Sequence, residues 1–188
     1  MDKQNRLLCG IDEAGRGCIA GSLVMAGVVL TGTVEGLTDS KKLIEKRREV
    51  LYGMIVDNAL YHIVSFSAQQ VDDLGISECL RRGLQSIQQH IPDADYLFDG
   101  NSTFGVDNIT TMVKADAKVV EVSAASILAK VTRDREIVSL SKNYPVYGFE
   151  KHKGYGTKAH IEALQVHGRC PVHRKSFRVK GVDEPTLF

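Results

Sequence analysis

The amino-acid sequence predicts an α/β fold, a mixed five-stranded sheet flanked by helices, with a helical C-terminal portion. Three observations lead to this prediction. Five apolar and β-branched runs of strand length occur before residue 115, helical periodicity appears between and after them, and the stretch beyond Lys114 reads as helical. The early runs are joined by short connections, which favours an antiparallel meander, whereas the later runs alternate with helices. The predicted sheet therefore contains both antiparallel and parallel strands.

The individual elements follow from local patterns. Strands are predicted where apolar residues cluster between turn residues, at Leu7 to Asp12, Ser22 to Leu30, Tyr61 to Ser67, Tyr96 to Asp99 and Ile109 to Lys114. Helices are predicted from helical spacing at Ile44 to Asn58, Ser77 to Ile91, Ser123 to Asn143 and Thr157 to His167. Ser67 with Gln70 three residues later is typical of a capping box, so a further short helix is expected there.

Length and composition fit a single domain over residues 1–188, with 43% hydrophobic and 25% charged residues. The longest apolar stretch, Leu23 to Leu30, is too short to span a bilayer, so we expect a soluble cytoplasmic monomer with no membrane contact. Four scattered cysteines without a CxxC pair favour reduced thiols. Cys170 and His173 have metal-like spacing, but no second pair of soft ligands accompanies them, which disfavours zinc.

Charge is unevenly distributed along the chain. The net charge is only +1, yet residues 151–180 carry eight basic residues against one acid, Glu162. Such asymmetry is expected when one region meets phosphates and another holds cations. We therefore predict a basic substrate-binding portion over about residues 145–188, with a solvated basic tail as the alternative.

The most informative stretch runs from Asp12 to Gly17, directly after the first predicted strand. Asp12 and Glu13 provide carboxylates, the ligands that Mg²⁺ and Mn²⁺ prefer. The following Gly15, Arg16 and Gly17 form a loop whose glycines allow close approach of a polyanion to main-chain N–H groups. This combination suggests phosphodiester chemistry, although an acidic pair at a strand end is often only a solvated turn.

Two further acids lie at comparable positions. Asp99 ends a second buried strand, and Asp116 follows the strand that begins at Ile109. Since such sheets place their sites at strand ends, we expect Asp12, Glu13, Asp99 and Asp116 to share one cleft. Four carboxylates there would repel by about 4 kcal/mol per pair at 4 Å and an effective dielectric of 20. Two divalent ions would offset this repulsion and form a clamp suited to phosphoryl displacement.

Asp134 is a competing candidate within the long predicted helix. An ion pair with Lys130, four residues earlier, is the favoured interpretation, and a role supporting the metal ligands from behind is the alternative.

Four blocks of sequence stand out as a set: Gly10 to Gly17, Asp39 to Leu43, Lys114 to Asp116 with Ser123 to Asp134, and His152 to Thr157. With these blocks in this order, the chain resembles the type 2 ribonucleases H, the bacterial ribonuclease HII family, across nearly its whole length. The resemblance implies a ribonuclease H fold and an endonuclease that cuts the RNA strand of RNA–DNA hybrids. It also implies incision on the 5′ side of single ribonucleotides embedded in duplex DNA, leaving a 3′-hydroxyl and a 5′-phosphate.

The resemblance also implies residue roles. The family's acidic quartet corresponds to Asp12, Glu13, Asp99 and Asp116, and its loop that reads the 2′-hydroxyl to Gly15, Arg16 and Gly17. Tyr155 matches the tyrosine that packs on the sugar of the following deoxynucleotide, and its flanking glycines and lysines favour an exposed position over a buried one. Ser40 and Lys41 are further candidate phosphate contacts. Cys18 and Ser22 replace prolines usual in the family, which predicts a less rigid segment there.

Two other classes of function compete with this interpretation. One is a nucleic-acid-binding module whose acids are structural, and the other is a different metal nuclease of the same broad fold, such as a junction resolvase. The C-terminal Glu184 to Phe188 resembles the short peptides by which repair enzymes dock on the bacterial sliding clamp through residues such as Leu187 and Phe188. A frayed tail is the alternative for that segment.

Overall fold

The computed structural model describes residues 6–37 and 43–183. Within them lies a five-stranded sheet in the order β3-β2-β1-β4-β5. The strands are β1 (Leu8–Ala14), β2 (Leu23–Leu30), β3 (Ala59–Phe66), β4 (Asp95–Asp99) and β5 (Ile109–Met112). The first three strands pair antiparallel, whereas β1 with β4 and β4 with β5 pair parallel. The predicted mixed sheet and its meander are therefore confirmed.

Helices cover both faces of the sheet and form the C-terminal portion, as predicted. They are α1 (Glu45–Asp57), α2 (Ala68–Leu74), α3 (Ile76–His90), α4 (Val120–Ser141), α5 (Phe149–His152) and α6 (Lys158–His167). The capping box of Ser67 and Gln70 forms at the start of α2, and the Thr157 side chain accepts from the backbone N–H of His160 at the start of α6.

Alternation along β2 explains why the sheet has a core on each side. Leu23 and Met25 pack in a cluster with the apolar face of α3, whereas Val24 and Ala26 pack in a cluster with α1 and α4. Successive strand residues point to opposite faces, so a strand that is apolar throughout belongs between two layers of helices. The four cysteines are free and buried, in agreement with the predicted reduced thiols.

Helix α4 lies unusually close to β1, and this contact positions one wall of the candidate site. A Cβ atom on Gly10 would lie 2.3 Å from backbone atoms of Glu121 and Val122, so only glycine allows the helix this near. The first turn of α4 is therefore held against the middle of β1. A third apolar cluster, which includes Ile137, Phe149 and Leu164, packs the C-terminal helices against the far half of α4.

Candidate active site

Three acids converge where β1 and β4 end. Ile11 pairs with Phe98 in the parallel register of these strands, so the following residues, Asp12 and Asp99, lie side by side. Asp116 reaches the same point from a 3₁₀ turn, Ala115–Ala117, that precedes α4. One carboxylate oxygen from each of the three acids lies within 4.8 Å of the others. The predicted meeting of these distant parts of the chain is confirmed.

Hydrogen bonds fix the acids in this arrangement. Asp12 Oδ1 accepts the backbone N–H of Glu13 at 2.7 Å, and its carboxylate also accepts from the Ser126 hydroxyl of α4. Asp99 Oδ1 accepts the backbone N–H of Ala115 at 3.2 Å, which ties the end of β4 to the turn that carries Asp116. The carboxylates are thus oriented by backbone and helix groups before any ligand arrives.

The cluster carries a large electrostatic strain. Burial raises the pKa of Asp12 well above its ordinary value, and the neighbouring charges of Glu13 and Asp99 raise it further. Hydrogen bonds from Ser126 and the Glu13 N–H act in the opposite direction. Buried carboxylates of like charge favour the neutral form unless a cation compensates them.

Glu13 lies beside this cluster rather than within it. Its Oε1 is 3.7 Å from Arg16 Nη1, while its Oε2 is buried with no hydrogen-bond partner among the described residues. Burial raises the pKa of Glu13 to about 7, the Arg16 charge lowers it, and the Asp99 charge raises it. The predicted quartet is therefore observed as three converging acids with a fourth, Glu13, on the rim of the same cavity.

The donor set fits divalent magnesium or manganese. All the ligand atoms offered are carboxylate oxygens, which hard cations prefer, and no soft ligand from residues 6–37 or 43–183 joins the cluster. The orphaned Oε2 of Glu13 and the raised pKa of Asp12 both mark negative charge that the described residues leave uncompensated. Both features are what a site built to receive cations would show.

A cavity of about 420 Å³ opens over Asp12 and Glu13. Its walls are Asp12, Glu13, Ala14, Gly15, Arg16, Gly17, Arg48, Ser126, Lys130 and Tyr155. A larger cavity of about 590 Å³ lies beside Glu136 and Ser139, but Glu136 is the one acid in its walls. The smaller cavity is the candidate active site because it brings together Asp12, Glu13, the glycine-arginine-glycine loop and Tyr155.

The glycine-arginine-glycine loop is held from beneath by Arg133. Gly15 has a φ of +92°, and a Cβ there would lie 2.2 Å from Arg133 Nε, so the loop requires glycine for both conformation and space. The fully buried Arg133 donates to the carbonyl oxygens of Ala20 and Ser22 at 3.0 Å each. It also donates to the Lys153 carbonyl at 2.8 Å, which joins this loop region to the segment that carries Tyr155.

The prediction that the basic residues of the C-terminal portion contact phosphates is wrong for Arg174. Its side chain is fully buried and donates to the carbonyl oxygens of Arg16 at 3.2 Å, Ser22 at 2.9 Å and Gly21 at 3.1 Å. Burial lowers its pKa to about 10. Arg169 is likewise committed to the carbonyl oxygens of Arg174 and Phe177 and to Asp183. These two arginines hold the fold and are not free to bind substrate.

Tyr155 is exposed, as its flanking residues predict. Tyr155 exposes 43% of its surface to solvent, and its hydroxyl is hydrogen-bonded to the thiol of the buried Cys18. Ser22, the other position that departs from the family's prolines, donates its hydroxyl to Glu136. Both replacements therefore make side-chain hydrogen bonds that proline could not provide.

Asp134 forms the ion pair that its spacing predicts. Its Oδ1 lies 2.8 Å from Lys130 Nζ and 4.0 Å from Arg133 Nη1. Sequence reasoning treated Lys130 only as the partner of Asp134 and missed that it lines the candidate site. Its position four residues after Ser126, on the same face of α4, is the signal that could have found it.

Some predictions fall elsewhere in the chain. Ser40 and Lys41, and Leu187 and Phe188, lie outside the described residues. Among the helices that the structure does describe, none has the length and apolar character needed to cross a membrane.

Comparisons with known proteins agree on one family. The family model described as Ribonuclease HII matches residues 9–180. A protein named Ribonuclease HII from Sulfurovum sp. (strain NBC37-1) is 71% identical over 188 residues, which cover 100% of both chains. Its namesake from Campylobacter jejuni (strain 81116 / NCTC 11828) is 51% identical over 173 residues, covering 92% of this chain and 91% of that one. Among solved structures, the PCNA:RNase HII complex from Archaeoglobus fulgidus contains a chain that matches with a TM-score of 0.80 and 30% identity, covering 96% of this chain and 98% of that one.

Proposed function

The chain belongs to the ribonuclease HII family, and from that premise we propose its substrates and its mechanism. Membership makes it a ribonuclease H, a hydrolytic endonuclease, rather than a binding module. We propose that it hydrolyses the RNA strand of RNA–DNA hybrids. We further propose that it incises on the 5′ side of single ribonucleotides embedded in duplex DNA, leaving a 3′-hydroxyl and a 5′-phosphate, and so begins their removal from the genome.

One observation carries this proposal. Asp12, which converges with Asp99 and Asp116, lines one cavity together with Glu13, the glycine-arginine-glycine loop and the exposed Tyr155. Carboxylates suited to hydrolysis and groups suited to recognising a sugar can therefore contact the same ribonucleotide and its neighbour. A nuclease that cut without regard to the sugar would need only the acids.

The catalytic and metal-binding residues are proposed to be Asp12, Glu13, Asp99 and Asp116. The family is divalent-metal dependent, and Mg²⁺ or Mn²⁺, two ions per site, fits the oxygen-only donors. When bound, two such ions promote attack by water and stabilise the leaving oxygen of an in-line displacement. Burial raises the pKa of Asp12 well above its usual range, so metal binding, which needs the carboxylate form, should become stronger as pH rises. The buried, unpartnered Oε2 of Glu13 offers a further oxygen at the rim.

Recognition of the ribonucleotide is proposed to rest on two surfaces. The 2′-hydroxyl is the group that distinguishes RNA from DNA, and the main-chain groups of Gly15, Arg16 and Gly17 can approach it closely because the glycines carry no side chain. The ring of Tyr155 offers a flat face to the next sugar, where a deoxyribose fits and an added hydroxyl would be crowded. Arg133 and Arg174 bond to the backbone beside both surfaces, so their spacing is fixed in advance.

Phosphate contacts and partners are further parts of the proposal. Ser40, Lys41 and the basic residues of the C-terminal portion other than Arg169 and Arg174 are proposed to contact the duplex backbone. Leu187 and Phe188 are proposed to dock on the sliding clamp; the relative from Archaeoglobus fulgidus is seen in a complex with PCNA. We propose that the enzyme acts as a monomer in the cytoplasm, where its nucleic-acid substrates lie.

A nicking assay tests the proposed function. A DNA duplex with one ribonucleotide should be cut on the 5′ side of that nucleotide when Mg²⁺ or Mn²⁺ is added, and remain intact in EDTA. The same duplex with deoxyribose throughout and an all-DNA four-way junction serve as controls, and both should stay uncut. Cleavage of the junction, or equal cleavage of the all-DNA duplex, would refute the assignment.

A further inference from the structure

Lys130 is the feature of the candidate site that the proposed function leaves without a role. Its ammonium group lies 5.5 Å from the centroid of the Tyr155 ring and 2.8 Å from Asp134 Oδ1. The side chain lines the same cavity as Asp12, Arg16 and Tyr155. A cation is therefore fixed beside the surface proposed to receive the deoxyribose.

The burial of the pair shows which side of Lys130 faces the substrate. The Asp134 side chain is 8% exposed, whereas that of Lys130 is 23% exposed, so the anion lies behind and the cation in front. An ammonium group has three N–H donors. Among the described residues, Asp134 is its one hydrogen-bond acceptor, which leaves donors that can turn to the cavity.

We propose that Lys130 binds the phosphate attached to the deoxynucleotide whose sugar packs on Tyr155, and that Asp134 is the positioning residue that holds Lys130 there. This inference rests on the proposed function, since it takes Tyr155 as the sugar platform. It gives Asp134 a role through Lys130 rather than through the metal ligands. Sugar and phosphate of one nucleotide are then held by neighbouring side chains, a ring and a cation.

Loss of this contact should weaken substrate binding and leave the chemical step unchanged. One charge-assisted hydrogen bond to a phosphate corresponds to about a tenfold change in affinity. Each neutralised phosphate also steepens the dependence of log affinity on log salt by about 0.9. The contact therefore predicts two measurable quantities that a purely structural lysine would not change.

The test uses Lys130→Met, which keeps the apolar stem against Tyr155 while removing the charge. With the single-ribonucleotide duplex, we expect KM to rise about tenfold and kcat to stay within about twofold. The salt dependence should become shallower by about 0.9 between about 50 and 200 mM salt. Fluorescence anisotropy of the labelled duplex in EDTA gives the same comparison without turnover. Lys130→Arg, which keeps the charge, should restore most of the binding.

Asp134→Asn is a second test, in which the charge of the protein changes in the opposite direction to that in Lys130→Met. Removing an acid makes the protein more positive, which by itself strengthens attraction to a polyanion. If Asp134 positions Lys130, affinity should fall despite that gain; a rise in affinity would overturn the positioning role.

Lys142→Ala is the matched control for Lys130→Met, because it also removes one lysine charge, at the exposed end of α4 about 18 Å along the helix axis from Lys130. It should leave KM and the salt dependence unchanged.

The outcomes separate this inference from the proposed function. If the wild-type protein nicks the duplex but Lys130→Met has an unchanged KM and salt dependence, the inference about Lys130 is wrong and the proposed function stands. The same conclusion follows if Lys130→Met lowers only kcat. If the wild-type protein fails to nick the duplex while Lys130→Met still weakens binding in EDTA, the phosphate contact stands and the proposed function fails.

Discussion

Asp99→Asn separates the charge of the candidate metal site from its geometry. Asparagine has nearly the same shape as aspartate and retains the Oδ1 that accepts the Ala115 N–H at 3.2 Å. The link between β4 and the turn that carries Asp116 should therefore survive, while one of three converging negative charges is removed. We expect turnover to be lost and the fold to be retained.

The size of the effect on stability follows from the spacing of the acids. Two full charges 4.8 Å apart repel by about 3 kcal/mol at an effective dielectric of 20. Burial and the charges of Glu13 and Asp99 raise the pKa of Asp12, and hydrogen bonds from Ser126 and the Glu13 N–H lower it, so the net effect of the repulsion is smaller than this full value. We therefore expect Asp99→Asn to raise the free energy of unfolding by about 1–2 kcal/mol without metal, equivalent to about 2–8 °C in Tm.

Thermal unfolding in EDTA at pH 8, followed by circular dichroism, measures this gain. Adding Mg²⁺ or Mn²⁺ should then stabilise the wild-type protein more than the variant, because binding to the folded state alone raises stability. Asp95→Asn, at the exposed opposite end of β4, is the matched control and should change the free energy of unfolding by less than about 0.5 kcal/mol. A fall in Tm of several degrees in EDTA, or full stabilisation of the variant by metal, would refute the reasoning.

Three further predictions concern Glu13, Tyr155 and the C-terminus. Because burial raises the pKa of Glu13 from 4.5 to about 7, metal-free stability should fall by about 2–3 kcal/mol as pH rises through that window, and Glu13→Gln should flatten this fall in urea titrations. An equally steep fall in the variant would contradict it. Tyr155→Ala should lower kcat/KM on a single embedded ribonucleotide by about tenfold or more, whereas Tyr155→Phe, which keeps the ring, should retain most activity; equal rates for wild-type and alanine proteins would dismiss the platform. Deleting Leu187 and Phe188 should weaken binding to the bacterial sliding clamp by more than about tenfold in surface plasmon resonance, and unchanged affinity would exclude the contact.

Most of the fold could be predicted because its strands and helices carry strong local patterns. The errors are at the ends of elements. The first strand was predicted to end at Asp12, but it continues to Ala14 because Glu13 and Ala14 pair with Met25 and Val24 of β2. Local reading took the acids and the following glycines as a loop, since the partner strand that extends the ladder is not visible in a short window.

The acids of the site were predictable because Asp12 and Glu13 lie in the last three residues of β1, Asp99 ends β4, and Asp116 lies in the turn that follows β5. The burial of two arginines could not be predicted from the sequence. Arg133 and Arg174 look like surface or phosphate-binding residues in sequence, and their burial depends on carbonyl oxygens supplied by residues 16–22, far away along the chain. A guanidinium group can be buried only where acceptors surround it, and such acceptors come from tertiary structure.

Arg174 makes the C-terminal portion unsuitable for exchange between related enzymes as an independent module. Cutting the chain after α4 would withdraw three donors at once, leaving the carbonyl oxygens of Arg16 and Gly21 without these donors and that of Ser22 with Arg133 alone. Each buried carbonyl that loses its donor costs about 1–3 kcal/mol, enough to displace the loop proposed to face the ribose. A chimera that alters substrate preference would therefore need to carry residues 15–22 and the C-terminal segment from the same parent.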